Sequence, residues 1–516
     1  MLCRYELYEG ACFHCSTLWA LESRGSLAYT NYMKSLGLTQ RLHVSWLLAA
    51  AGVGIVIGVI SVMRAPYGLF AGWMWLVAGM ILALASLVGA RRWLVVIALI
   101  GGALIGLWRG SLGQVGLEHY QALIGQTVRL SGRVLEDPDV DKKGQTVLRL
   151  GDIVSNDRRL PGSVWVVTVH NQAIKRSDVV TVRGVLSDGF GAFAARMSRA
   201  AVERVTREQP GDVAVGVRDW FAERVRRYVP ESEAALGLGF LMGLRRALPL
   251  ELMTALQVAG LTHVIVASGY NLTILVRLAR RLFVRVSKYL AALSAGAMII
   301  GFMAMTGLSP SMSRAGLVAG LSLAAWYYGR TIHPLVLLPV AAAMTLLINP
   351  QFGWNDLGWQ LSFAAFSGVI ILAPLLQRYF FGAKPPGVIR QIIGETVSAQ
   401  IMTWPLLVAS FGVISNVALI ANVLILPLVP LAMLLTFVVG VCADVPVVAG
   451  LIATPTTWLL QYMVGIATWL AGLDWAQLEV NLSWLWVIIT YLVIIGAMWW
   501  MRRQTGLRLR ESNVVE

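Results

Sequence analysis

The chain has 516 residues, of which 57% are hydrophobic and only 13% are charged. A soluble protein usually carries about a quarter charged residues and just under half apolar ones. These proportions exclude a purely soluble enzyme, a disordered scaffold and a disulfide-stapled secreted domain. The 42 Lys and Arg residues against 27 Asp and Glu residues leave a formal net charge of +15. So basic a membrane protein either concentrates cations on one face, or handles an acidic substrate, or does both.

Residues 1–43 are predicted to form an N-terminal cytoplasmic segment. Cys12 and Cys15 have the spacing of a metal or redox motif, but they lack a second pair, so the simpler interpretation is an extra N-terminus. Met33 begins a stretch typical of a natural start, and residues 1–32 are interpreted as a start-site extension. No cleavable signal peptide is expected, because the apolar run after Arg41 is too long.

Three apolar runs in residues 44–116 approach the ~20 residues that a spanning helix needs. They are Val44–Met63, Tyr67–Ala90 and Trp93–Trp108. Arg91 and Arg92 lie between the second and third runs, and positive loops stay in the cytoplasm, so the chain is expected outside after residue 109. Small-xxx-small steps indicate helices that pack closely. These steps are Gly54/Gly58, Gly68/Gly72 and Gly102/Gly106.

Residues 117–208 regain charge and contain five short segments with strand-like alternation, as in Val128–Val134. Five strands in so short a stretch predict a small closed barrel of the OB type on the outer side of the membrane. Its mild basicity permits nucleic acid binding. The segments are Thr127–Leu135, Thr146–Val154, Ser163–His170, Val179–Ser187 and Arg196–Thr206.

Residues 209–259 are predicted to hold amphipathic interfacial helices. In the first of them, apolar residues such as Trp220 and Phe221 share one side, and Arg218, Arg224, Arg226 and Arg227 are expected on the other.

Nine further spans are predicted within residues 260–501, followed by a basic cytoplasmic tail at 502–516. The spans are 260–276, 290–306, 312–329, 335–348, 357–376, 395–411, 416–442, 448–472 and 484–501. With the barrel outside, the basic clusters at 277–288, 330, 378–390 and 502–510 all fall in the cytoplasm. The sequence thus predicts a polytopic α-helical membrane protein of about twelve spans, with an inserted outer barrel and both termini cytoplasmic.

Polar residues inside the apolar runs must be satisfied internally or line a wet path. His263, Ser268, Gly269 and Asn271 interrupt one predicted span, as a broken helix lining a cavity would; the alternative is a kinked helix whose polar groups bond its neighbours. Arg314 heads another helix and is interpreted either as part of the path or as a snorkelling anchor at the outer surface.

Further polar positions follow the same logic. Asp356 is expected to cap the next helix, or to pair with Arg314. Glu395 shares a face with Ser398 and is either a path residue or an interfacial residue. Gln360, Gln400 and Asn422 complete the candidate path. In the barrel, weaker DNA-binding candidates are Arg129, Arg133, Lys142, Lys143 and Trp165, and Phe190 is a weak candidate for stacking on bases.

Several signatures of catalysis are missing. The chain has no Walker loop and no Gly-x-Ser-x-Gly elbow, and its six histidines are scattered. No catalytic residue, metal or cofactor is therefore expected.

In their order, these features resemble the ComEC family, the inner-membrane channel proteins of natural competence. The segment at 260–269 resembles the family's Gly-Leu-x-His-x-x-x-x-Ser-Gly signature, and Pro310–Ala315 resembles its Pro-Ser-x-x-Arg-Ala step. Further landmarks lie at 349–364 and 415–427. The likeness extends over about residues 44–500.

Two departures from the family pattern matter. The family commonly has Ser-Gly-Leu-His where this chain has Asn271, so the role of that histidine is absent or carried by the asparagine. Many members also carry a C-terminal metallo-β-lactamase-like domain, proposed to degrade the strand that is not imported. The chain ends soon after Trp500, so we expect that nuclease on another polypeptide or not at all.

The resemblance implies a channel that moves single-stranded DNA across the bacterial cytoplasmic membrane during natural transformation. Implied partners are single-stranded DNA, membrane lipids, a cytoplasmic competence ATPase, and a DNA receptor or pilus protein. A separate nuclease and a homo-oligomer remain open. The alternatives are a polytopic exporter of lipid-linked or anionic small molecules, and a membrane enzyme that uses His263 and Glu395.

Overall fold

The structure is a computed structural model of the whole chain. It describes residues 42–62, 65–66, 68–89, 91–140, 144–169, 174–207, 211–244, 248–265, 269–307, 310–330, 333–382, 384, 386–480 and 483–507. The predictions for residues 1–32, Ser268, Lys142, Lys143 and the end of the basic tail lie outside the described residues.

The first three helices form a tight unit. They are α1 (Val44–Val62), α2 (Trp73–Gly89) and α3 (Leu94–Gln121). A Cβ on Gly54 or Gly58 would fall on carbonyl groups of α3, and one on Gly102 or Gly106 would fall on carbonyl groups of α1. These two steps therefore set the close approach of α1 and α3, as predicted. The Gly68/Gly72 step is wrong as a helix contact, because both glycines precede α2 and Gly68 has φ of +74°.

Seven strands follow. They are β1 (Thr127–Val134), β2 (Asp139–Val140), β3 (Thr146–Ser155), β4 (Arg158–Leu160), β5 (Val164–Thr168), β6 (Val179–Asp188) and β7 (Ala195–Thr206). β1 pairs with β6, β6 with β7, β7 in parallel with β5, β5 with β3, and β3 again with β1. The five long strands thus close into a barrel and occupy the five segments that the alternation predicted.

The barrel has its own apolar core. Inward positions alternate along the strands, as in the fully buried Leu148 and Leu150 of β3 and Val164 and Val166 of β5. Tyr120, near the end of α3, is 1% exposed and belongs to the same core. The barrel is therefore built directly onto the last turn of a membrane helix.

In the described residues after the barrel, the secondary structure is helical apart from one small sheet. The helices are α4 (Val213–Arg226), α5 (Glu231–Met242), α6 (Leu250–Val258), α7 (Thr262–Ile265), α8 (Gly269–Phe283), α9 (Lys288–Thr306), α10 (Pro310–Tyr327), α11 (Pro334–Ile348), α12 (Gln351–Asn355), α13 (Leu357–Ser367), α14 (Ala373–Phe381), α15 (Val388–Phe411), α16 (Ala418–Ile425), α17 (Val429–Val441), α18 (Pro446–Ala471) and α19 (Trp484–Thr505). A π-helical turn, Gly368–Leu372, joins α13 to α14. β8 (Val413–Ser415) pairs with β9 (Gln477–Glu479).

Helical structure occurs in each of the twelve predicted spans. Among the described residues, eight segments are long and apolar enough to cross a membrane, and Trp73–Gly89 and Pro334–Ile348 are shorter apolar helices. The protein is therefore a multi-helix membrane protein with a barrel domain. The count of twelve spans stays a prediction.

The predicted faces of helix α4 are wrong in part, although Phe221 is buried and Arg226 is exposed as expected. Arg218 and Arg224 are 4% and 7% exposed, whereas the apolar Val213 and Trp220 are 69% and 55% exposed. The arginines point into the protein because carboxylates and carbonyl groups at helix ends accept their hydrogen bonds there. A buried guanidinium is tolerated when its charge is paired and its donors are bonded.

Helix α4 also joins the ends of two apolar helices. Arg218 donates to a carbonyl in the last turn of α9, and Arg224 donates to two carbonyls at the end of α17. Since six helical residues rise only about 9 Å, the ends of α9 and α17 lie near one another beside α4. The sides of the membrane on which the spans end stay a prediction.

Candidate functional site

An aromatic and cationic row crosses the outer surface of the barrel. Arg149 on β3, Trp165 on β5 and Arg196 on β7 are register partners in neighbouring strands. Phe190 and Phe193, from the loop between β6 and β7, pack on the tryptophan with ring centroids 5.3 and 5.1 Å away. Phe190 remains 45% exposed. This surface, the Trp165 face, offers flat π surfaces flanked by positive charge.

The other barrel candidates do not all join the Trp165 face. Arg129 on β1 pairs with Glu203 at 2.7 Å and keeps its side chain 65% exposed. Arg133 lines a different cavity of about 270 Å³, between the barrel and the start of α4. Sequence reasoning named Trp165 and Phe190 but missed Phe193 and Arg196, whose only signal was their position in and beside a predicted strand.

The Trp165 face adjoins the membrane helices. Arg149 lies over the Trp165 ring, 5.4 Å from its centroid, and pairs with Glu136. It is also close enough for its charge to act on the Asp356 carboxylate at the start of α13. Nearby, a Cβ on Gly162 would lie 3.7 Å from the side-chain nitrogen of Gln351 in α12. The barrel surface and the first residues of α12 and α13 therefore form one continuous region.

Asp356 acts as the predicted helix cap. Its side chain accepts a hydrogen bond from the Trp359 amide, which satisfies one of the free N–H groups at the start of α13. The alternative interpretation, a pair with Arg314, holds only in part. The two charges attract one another, but Arg314 donates to the Gly358 carbonyl at 2.8 Å.

Arg314 does not snorkel. It is 3% exposed, and its guanidinium lies 5.9 Å from the centroid of the Phe363 ring. Its Nε and Nη1 atoms are buried without a hydrogen-bond partner among the described residues. The interpretation as an anchor at the outer surface is therefore wrong.

In the interrupted span near residue 263, α7 ends at Ile265 and α8 begins at Gly269. The predicted break around Ser268 falls on residues 266–268, which lie outside the described residues, and it stays a prediction. His263 is exposed on the protein surface, and its Nδ1 atom lies 3.0 Å from the Gly260 carbonyl. Asn271 is fully buried and donates to the Phe240 carbonyl at 3.0 Å, which ties α8 to α5.

The remaining candidates lie on α13, α15 and α16. Glu395 accepts a hydrogen bond from Gln391 on its own helix. Gln360 and Gln400 are half-buried. Asn422 is 2% exposed, and its Oδ1 atom has no hydrogen-bond partner among the described residues. The structure thus brings Arg314 and Asp356 together near the barrel. Gln360 joins them through its backbone amide, which donates to the Asp356 carbonyl at 3.1 Å, and the contacts described for Glu395 and Asn422 do not reach that pair.

Sequence reasoning missed a set of arginines that cap helix C-termini, where the dipole and free carbonyls attract a cation. Arg109 donates to two carbonyls at the end of α11, at 2.7 and 2.8 Å. Arg176 and Arg218 donate to carbonyls at the end of α9 and pair with Asp212 and with Asp137. An arginine far along the chain from the helix it caps carries no local signal.

Within the described residues, no group of three His, Cys, Asp or Glu side chains could hold a metal ion.

The fold and this site define a membrane protein of many apolar helices that carries a closed barrel beside a buried arginine. The chain belongs to the Competence protein family, whose sequence model matches residues 240–505. The resemblance to the ComEC family is thereby confirmed. The chain is also similar to the ComE operon protein 3 of Bacillus subtilis (strain 168), with 25% identity over 195 residues. That match covers 37% of this chain and 24% of the relative. No solved structure matches the chain.

Proposed function

We propose that this protein is a channel that moves single-stranded DNA across the cytoplasmic membrane during natural transformation. Membership of the Competence protein family supports a role in DNA uptake. The main support for a channel that takes single-stranded DNA is the Trp165 face, which adjoins the membrane helices at Asp356. An external surface suited to unpaired bases thus leads to a buried cation.

The barrel supports this role through its topology. If the five long strands are numbered along the chain, their order around the barrel is 1-2-3-5-4, with strands 3 and 5 parallel. We propose that this is an OB-type barrel, in which the surface of strands 2 and 3 and the loop between strands 4 and 5 bind oligonucleotides. Arg149, Trp165 and the two phenylalanines occupy these positions.

Aromatic rings bind single strands without regard to sequence, because every base has a π face. Stacking of one base on one ring contributes about 1–3 kcal/mol. The exposed Arg196 beside the rings attracts the phosphates, and this attraction weakens as salt rises, whereas Arg149 is half-buried and paired with Glu136. The Trp165 face combines both features, and its row Arg149–Trp165–Arg196 runs across three neighbouring strands of the barrel.

We also infer where the protein lies and which partners it needs. The barrel is outside the bacterial inner membrane, and residues 260–501 form the channel region of a protein with about twelve spans. The ends of α14 and α19 lie together, with the rings of Tyr379 and Trp500 5.3 Å apart, which supports a C-terminus on the same side as the basic loop at 378–390. Energy comes from a separate cytoplasmic ATPase, and DNA is delivered by a receptor or pilus protein.

Deletion of the gene in a transformable host tests the function. We expect labelled DNA to remain bound at the surface, while DNA protected from external nuclease is lost together with transformants. A plasmid copy of the wild-type gene is expected to restore both. Normal transformation of the deletion strain would contradict the proposal.

A further inference from the structure

Arg314 is a buried cation with unused hydrogen-bond donors. Its Nη2 atom donates to the Gly358 carbonyl, whereas Nε and Nη1 have no partner among the described residues. Burying a charge is costly unless it is paired and bonded. An arginine kept in this state is prepared for an anion that reaches those two N–H groups.

The starts of three helices surround this side chain. Arg314 lies in the second turn of α10, and its guanidinium bonds to Gly358 at the start of α13. A Cβ on Gly269, the first residue of α8, would lie 3.2 Å from the Cβ of Ala315. Helix N-termini carry partial positive charge, and broken membrane helices present such ends to anionic substrates. The backbone therefore adds to the attraction that the guanidinium exerts on an anion.

Asp356 is a negative charge near enough to attract Arg314. It stays in place because it caps α13, and it attracts both Arg314 from the membrane region and Arg149 from the barrel. Asp356 balances the charge of Arg314 without taking its free N–H groups. An incoming phosphate would therefore find both a donor pair and a carboxylate that weakens the binding.

We propose that Arg314 binds a phosphodiester group of the passing strand, and that Asp356 is the counter-charge that keeps this binding weak enough for release. This inference rests on the proposed function and adds the residue that receives the backbone behind the Trp165 face. A channel needs sites that are favourable enough to enter and weak enough to leave, and the opposed charges at the start of α13 provide that balance.

The test measures binding of fluorescein-labelled oligo(dT) to the full-length protein in maltoside detergent, across a series of salt concentrations. Each phosphate neutralised on a single strand contributes about 0.7 to the slope of log K against log salt. We expect Arg314→Gln to reduce that slope by about 0.7 and to weaken binding by at least about tenfold, since a hydrogen bond between two charged groups would be lost. Arg109→Gln is the matched control, because that arginine is occupied by helix carbonyls, and it should leave the slope unchanged.

Asp356→Asn is the second variant, because asparagine caps a helix as well as aspartate does. It should keep the fold and tighten oligo(dT) binding severalfold, and it decides the question if Arg314→Gln fails to fold. An unchanged slope in folded Arg314→Gln, or unchanged affinity in Asp356→Asn, would overturn the assignment. Wild-type protein that does not bind oligo(dT) would instead contradict the proposed function itself.

A lipid headgroup offers the same phosphodiester chemistry and is distinguished by adding phosphatidylglycerol to the wild-type assay. If the site serves the strand, the lipid should leave the Arg314-dependent part of oligo(dT) binding intact. Loss of that part at low lipid concentration would assign the site to lipid and overturn the inference.

Discussion

Replacement of Arg218 by methionine should loosen the attachment of the barrel to the membrane helices. The guanidinium is 4% exposed, and it bonds to Asp137 at the barrel, to Asp219 on its own helix, and to the carbonyl of Met305 at the end of α9. Methionine fills similar space but removes the arginine donors. Asp219 keeps Lys175 at 3.2 Å and the Met305 carbonyl keeps Arg176, so the loss falls mainly on Asp137.

The magnitude follows from the burial of each partner. Removing one member of a buried ion pair costs about 3–5 kcal/mol. Since the Asp137 and Asp219 side chains are 23% and 40% exposed, water recovers part of this cost, and we expect about 2–4 kcal/mol. At 1.4 kcal/mol per factor of ten, local opening should then rise roughly 30- to 1,000-fold.

Hydrogen exchange of the amides in α4 and in the last turn of α9 measures this opening in the purified full-length protein. Arg226→Met is the matched control, because Arg226 is on the same helix but pairs with Glu231 at the surface, at 3.1 Å. Its loss should cost less than about 1 kcal/mol. Exchange in Arg218→Met that equals the exchange in this control would refute the attachment.

Three further results are expected. Gly102→Val should abolish folded protein in detergent, because a Cβ there meets an α1 carbonyl and overpacking costs about 1–3 kcal/mol or more. Gly301→Val, where a Cβ would lie in open space, should be tolerated. Equal yields of the two folded variants would contradict this expectation. Burial raises the pKa of Asp178, but its hydrogen bonds and the charge of Arg207 outweigh that effect and hold the pKa below its usual range. The stability that this ion pair contributes should therefore be complete above the unfolded pKa of about 3.9 and should disappear as pH falls through the folded pKa. The Tm difference between wild type and Asp178→Asn should then narrow in acid. A Tm difference that stays constant with pH would argue against the ion pair. Phe190→Ala should weaken oligo(dT) binding by about 1–3 kcal/mol, measured by fluorescence anisotropy, and unchanged affinity would remove that ring from the site.

The barrel illustrates what the sequence could predict. Period-2 alternation located all five long strands, because inward residues such as Leu148 and Leu150 must be apolar. The closure of β3 onto β1 and the parallel pairing of β5 with β7 depend on contacts between distant segments, which alternation does not encode. Those pairings decide that Trp165 stands beside Arg149 and Arg196.

Helix α4 illustrates what the sequence could not predict. An amphipathic pattern assigns charged residues to water, and it gave the wrong face because Arg218 and Arg224 are paired inside the protein. Apart from Asp219, their partners lie between 81 and 220 residues away along the chain. In the membrane region, Asp356 was correctly predicted as a cap because capping is local. The unused hydrogen-bond donors of Arg314 could not be predicted, because they depend on the position of Gly358 in the folded protein.

The most direct test of the central claim places a photo-crosslinking amino acid at Phe190 and follows labelled donor DNA during transformation. We expect a crosslink to single-stranded donor DNA during uptake. The control position is Val185, which is 49% exposed on β6, away from β3 and β5 across the barrel, and it should give none. Efficient transformation without a crosslink at Phe190, or with equal crosslinking at Val185, would contradict passage of the strand along the Trp165 face.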